Sequence, residues 1–143
     1  FENSSYGVLF KSGLEVWKEE KILGVGLKNY SKVCDTLSFE NNTKHQSCST
    51  HPHNLYIQIL SESGLIGMVL FLSFLISFFL SYSKILLKLN KLNKNKFLLI
   101  CCILYLFTMF WPLTTSGSFY STWNGFYYWI IIGIILNLIK KIN

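Results

Sequence analysis

Residues 51–67 read His51-Pro52-His53-Asn54-Leu55-Tyr56-Ile57-Gln58-Ile59-Leu60-Ser61-Glu62-Ser63-Gly64-Leu65-Ile66-Gly67. Imidazole exchanges protons near neutral pH. Amides and carboxylates hold hydroxyl groups. Pro52 suits the first turn of a helix, where its missing N–H has no partner to lose. His51 is then the expected N-cap, with His53 and Asn54 in the first turn. From Leu55 the helix is expected to run without a break into the apolar stretch after Gly64. Two imidazoles and an amide would thus sit at the positive end of a helix, where free N–H groups attract phosphate. An imidazole with a pKa of about 6.5 is mostly neutral at working pH, so His53 can serve as a base. Asn54, Gln58, Ser61 and Glu62 form a polar stripe at helical spacing. It either lines a sugar-binding groove or faces water, and for Glu62 a solvated face is the plainer reading. For His51 the plain reading is a cap or loop residue.

What must hold these residues is a set of apolar helices. Three apolar runs cover 65–80, 97–111 and 126–139. Extended into their flanks they give spans of about 56–82, 95–111 and 122–140, each close to bilayer length. The expected fold is an all-α membrane protein. Residues 1–55 form an extracytoplasmic loop with short amphipathic helices, and residues 56–143 a three-helix transmembrane region. Mean hydropathy of +0.38 and 17% aromatics agree with this. The net charge of +6 is uneven. All seven acids lie between Glu2 and Glu62, whereas Lys84, Lys88, Lys91, Lys94 and Lys96 crowd one acid-free segment. Lysines beside apolar runs indicate positive-inside topology rather than nucleic-acid binding. Residues 84–96 and the Lys140-Lys141 tail are therefore expected in the cytoplasm, and residues 1–55 and 112–125 outside. Ser73, Ser77 and Ser81 make a small-residue stripe suited to helix packing. Cys101 and Cys102 read as apolar filling. The chain begins on Phe1 without an initiator Met or a signal pattern, so a piece of a longer protein is expected.

Residues 1–33 read as helical, with Ser4 or Ser5 as a cap and Phe10, Leu14 and Trp17 as a one-sided apolar stripe. Such a helix lies on a membrane, on further protein, or on an ordinary core. Gly24-Val25-Gly26 is a turn. Asn29 stands where a dinucleotide fingerprint would need its third glycine. Residues 34–50 read as a polar loop. Cys34 and Cys48, in a loop expected outside, suggest a disulfide. The alternatives are a metal site with His45, His51 or His53, or two free thiols. No C-x-x-C or H-x-x-x-H pair supports a metal, and neither metal nor cofactor is expected.

His53-Asn54, nine residues, then Gly64-Leu65-Ile66-Gly67 resembles the H-[N/S/Q]-x9-G-x-x-G signature of the O-antigen ligase and O-antigen polymerase family. These are polytopic bacterial inner-membrane glycosyltransferases, and the longer string is most similar to polymerase-type members. Residues 22–30 are similar to the family's external G-x-G-x-x-x-F/Y segment. Residues 112–120 are similar to a P-x-x-x-x-G-S-F segment of the polymerases. The resemblance implies transfer of a glycan from undecaprenyl pyrophosphate to a hydroxyl of lipid A-core or of another glycan. It implies His53 as the catalytic base, with Asn54, His51, Gln58 and Glu62 near the substrate. The family's arginines are absent from this chain, which would leave Lys28 or Lys32 to face the pyrophosphate. Two readings from other classes stand beside this one. A transporter or flippase piece would bind an anionic lipid-linked substrate at broken helices. A non-enzymatic membrane anchor would tolerate any change at His53-Asn54.

Overall fold

The computed structural model describes residues 4–40, 48–87 and 94–142. Among the described residues every regular element is a helix: α1 (Ser5–Glu19), α2 (Tyr30–Glu40), α3 (Leu55–Leu87), α4 (Lys94–Met109) and α5 (Thr122–Ile142). By length and composition, Leu55–Ser83 and Thr122–Lys141 can cross a membrane. Helix α4, with 16 residues, is shorter than the roughly 20 that a crossing needs. The middle of the expected cytoplasmic lysine turn, residues 88–93 with Lys88 and Lys91, lies outside the described residues, as does His45.

Ser4 caps α1 by accepting the Gly7 N–H. The buried face of α1 is Gly7, Ser12, Gly13 and Val16, not the Phe10, Leu14 and Trp17 stripe, whose Leu14 is exposed. Small residues win because α1 packs closely on α3. A Cβ on Gly13 would run into Ile57 and touch Pro52. The expected polar loop from residue 34 is helical up to Glu40. Tyr30, Val33, Cys34 and Leu37 supply the helical stripe, packing with Val16 and Val25 in a small second core. A disulfide joins Cys34 on α2 to Cys48, with Cα atoms 5.7 Å apart. In the chain-entropy model a closed loop of this size contributes about 3 kcal/mol. Replacing both cysteines by serine is expected to lower the thermal midpoint measurably. Two free thiols in non-reducing mass spectrometry of the native protein would remove the bridge.

Helix α3 does not run straight. Gly64 has φ 65 and ψ −164, which divides α3 into arms of residues 55–63 and 65–87. The rings of Tyr56 and Phe71 lie 5.8 Å apart, although fifteen steps of a straight helix would separate them by about 22 Å. The long arm joins α4 and α5 in the main core, where Leu75 and Tyr82 meet Leu99, Leu106, Ile135 and Leu138. Ser73, Ser77 and Ser81 are exposed and do not form the expected packing stripe. Cys102 is buried in the core and Cys101 is exposed.

Candidate functional site

The bend breaks two backbone hydrogen bonds, from Leu65 N–H to the Ser61 carbonyl and from Ile66 N–H to the Glu62 carbonyl. A bent helix must satisfy such groups elsewhere. The turn at residues 21–26 takes all four. Leu65 N–H donates to Lys21 O (2.9 Å) and Ile66 N–H to Ile22 O (3.3 Å). Val25 N–H donates to Ser61 O (3.0 Å) and Gly26 N–H to Glu62 O (3.0 Å). The two glycine motifs are therefore one structure, a backbone turn stitched across a broken helix.

At the other end of the short arm, His53 is not in a helical turn. Its φ is 53, and histidine is among the residues that tolerate this left-handed region. Asn54, not His51, is the cap. Its Oδ1 accepts the N–H groups of Tyr56 (3.0 Å) and Ile57 (3.1 Å). The left-handed step at His53 starts the helix after Asn54 and leaves Pro52 outside it. Asn54 Nδ2 also donates to Pro112 O at 2.7 Å, which leaves one amide hydrogen for any substrate.

The loop between α4 and α5 is laid along this arm. Ser116 N–H donates to His53 O (3.0 Å). Gln58 accepts the Phe119 N–H through Oε1 (2.9 Å) and donates to Ser118 Oγ (2.9 Å). Ser63 Oγ pairs with the Tyr120 hydroxyl (2.8 Å). Glu62 is 1% exposed, which overturns the solvated face expected for it. The G-x-G turn, α2 and the α4–α5 loop close over it. Its carboxylate accepts the Tyr30 N–H and a Gln58 Nε2 hydrogen, both at 3.3 Å, and forms no ion pair among the described residues.

Lys28, Gln58 and Glu62 share a polar cavity of about 320 Å³ with Ser31, Thr50, Ser118, Tyr120 and Ser121. Tyr120 and Ser121 also line an aromatic cavity of about 390 Å³ with Phe71, Phe119, Tyr128 and Trp129. His51, His53, Asn54 and Lys32 do not line the polar cavity; Lys32 is exposed on α2. His53 is half-buried, with Nε2 at 3.2 Å from Ser49 Oγ and its ring 4.2 Å from that of His51. Sequence reasoning missed Ser49 and Thr50, for which the density of hydroxyl side chains in that loop was the available signal; Ser118 and Tyr120 lay in the segment 112–120 that it singled out, but without a role at the site.

Burial first, and the neighbouring His53 second, hold the pKa of His51 below the ordinary imidazole value. A depressed histidine binds fewer protons folded than unfolded, so it contributes stability above about pH 6.5 that is lost as pH falls through the folded value. The thermal midpoint is expected to fall on acidification below that pH, and less so in His51→Gln. Parallel pH profiles of the two proteins would remove His51 as the cause.

The O-antigen ligase family model matches residues 1–72, just over half of the chain's 143 residues. The match contains both glycine motifs, the bend and the His53-Asn54 junction, while the α4–α5 loop lies beyond it. No curated protein and no solved structure matches the chain. A histidine-led arm, its glycine bend and the turn that stitches it all fall inside the matched half, and the chain belongs to the O-antigen ligase family.

Proposed function

We propose that the protein transfers a glycan from undecaprenyl pyrophosphate to a sugar hydroxyl, of lipid A-core or of another glycan, at the outer side of the bacterial inner membrane. The observation that carries this reading is the pair of cavities meeting at Tyr120 and Ser121. A polar chamber with an ammonium, a buried carboxylate and four hydroxyl side chains besides Tyr120 suits sugar and phosphate. The aromatic chamber beside it suits the first units of a polyprenyl chain. In the reaction the acceptor oxygen bonds to the anomeric carbon as the bond to pyrophosphate breaks. His53 does not line the polar chamber, so in this reading the acceptor hydroxyl approaches from outside it and passes its proton to His53, and undecaprenyl pyrophosphate leaves with the negative charge. In the tautomer whose Nε2–H donates to Ser49 Oγ, Nδ1 carries the lone pair that takes that proton. Lys28 supplies positive charge at the polar chamber, with Lys32 one turn further along.

The reading includes three crossings, with α4 completed by its flanks, residues 1–55 and 112–125 in the periplasm, and residues 84–96 and the C-terminus in the cytoplasm. A broken helix is also what a carrier of anionic lipid would show. Here the four backbone groups freed at Gly64 are all paired to residues 21–26, which leaves none for a passing substrate. A deletion strain is the test. It is expected to lose long or lipid A-attached glycan and to accumulate the lipid-linked precursor on the periplasmic face. Precursor held on the cytoplasmic face would instead mean flipping.

A further inference from the structure

Three large apolar side chains stand out from the turn that stitches the α3 bend. Ile22, Leu23 and Leu27 are 59%, 66% and 60% exposed. The turn beneath them is fixed, because its backbone is hydrogen bonded across the bend. The bond from Ile66 N–H to Ile22 O puts Ile22 beside the start of the long arm, where Leu65, Ile66 and Val69 are exposed as well. The turn thus extends the apolar surface of a helix able to cross a membrane.

Three observations select lipid as the cover. First, exposed charges rim the turn on both sides: Glu19, Glu20 and Lys21 before it and Lys28 after it. A covering helix would have to desolvate them, whereas at a bilayer surface they stay among headgroups while the apolar tips go down. Second, residues 65–83 of the long arm measure about 28 Å at 1.5 Å per residue, close to the roughly 30 Å of a hydrocarbon core. The bend, and the turn bonded to it, then lie at the hydrocarbon boundary. Third, aromatic side chains mark the same level. Ser63 is bonded to Tyr120, three residues before Trp123, which is 74% exposed. The Trp17 indole donates to Lys21 O at 3.1 Å. Tryptophan and tyrosine collect at membrane–water interfaces.

We propose that residues 21–27 form a membrane-inserted wedge, with Ile22, Leu23 and Leu27 among the upper acyl carbons of the leaflet that holds the bend. The short arm of α3, with His53 and Glu62, then lies above the hydrocarbon instead of crossing it. This holds whatever reaction the protein catalyses.

The test uses the protein reconstituted in phosphatidylcholine–phosphatidylglycerol liposomes. Cys101 and Cys102 are replaced by alanine, and a thiol-reactive nitrobenzoxadiazole is placed on Leu23→Cys or, for comparison, on Thr36→Cys at an exposed position of α2. At position 23 the emission is expected to be blue-shifted. It should be quenched by lipids carrying a nitroxide at acyl carbon 5 and spared by aqueous iodide. Position 36 should behave in the opposite way. Benzophenone-alanine at position 23, in the chain with its native cysteines, provides a second readout. Irradiation is expected to add the mass of one phospholipid. Iodide quenching at 23 equal to that at 36 would overturn the wedge. So would protection from both quenchers with a protein crosslink in place of a lipid adduct.

Discussion

Replacing His53 by asparagine is expected to lower glycan transfer by a factor of about 10² to 10⁴, the usual loss on removing a general base, with the protein still at normal abundance. Asparagine is the informative substitution. Position 53 has φ 53, which asparagine tolerates and alanine resists. His53→Ala therefore removes the imidazole and strains the backbone together, whereas His53→Asn removes only the imidazole. The His53 carbonyl still receives the Ser116 N–H in either variant, so the α4–α5 loop keeps its anchor. His51→Ala is expected to reduce transfer much less, because its ring packs on His53 and its Nδ1 pairs with Thr50 Oγ1 at 3.0 Å. Glycan ladders from complemented deletion cells, read beside protein levels, separate these cases. A normal ladder from His53→Asn would exclude His53 as the base. Attention would then pass to Glu62, the buried carboxylate of the polar cavity.

The residues of this site were easier to read from sequence than the shape that holds them. The spacing from His53 to Gly64 and Gly67 marked the ends of the arm and the small residue opposite Ser63, where a Cβ on Gly67 would collide, but the helix was expected to continue through Gly64. The bend itself left no local trace. A glycine inside an apolar helical run costs only about 1 kcal/mol against alanine, so the pattern through Gly64 looks continuous. What breaks the helix is a turn some forty residues earlier, and only tertiary contact brings the two together. The cap failed for a related reason. Pro52 at a first helical turn is a sound local rule, but the left-handed step at His53 is held by the α4–α5 loop bonded to its carbonyl. The burial of Glu62 likewise depends on Tyr30 and Gln58, and the Tyr30 partner lies far away in sequence.

Gly64→Ala is expected to destabilise the protein by about 3 to 5 kcal/mol, a large part of the 5–15 kcal/mol that holds a typical domain together. Two effects combine. At φ 65 and ψ −164 the backbone lies in a region essentially restricted to glycine, at a cost of about 1–3 kcal/mol for another residue. A Cβ there would also collide with the carbonyl of Ile22 and the backbone nitrogen of Gly24. Backbone cannot swing aside as a side chain can. Relief requires the turn to lift, and lifting breaks the hydrogen bonds between residues 21–26 and residues 61–66, each worth about 0.5–1.5 kcal/mol net. Gly24→Ala meets the same approach from the other side, against Glu62, Ser63 and Gly64 backbone atoms, and should lose a similar amount. Because one separation of the turn relieves both clashes, the double variant should lose far less than the sum of the singles. Gly133→Ala is the control. Nothing lies within 4 Å of its Cβ position, so helix propensity alone makes it neutral or slightly stabilising. Thermal unfolding of the detergent-solubilised variants decides the matter. A Gly64→Ala midpoint equal to that of Gly133→Ala would mean that the turn does not press on the bend, and the stitched hinge would have to be abandoned.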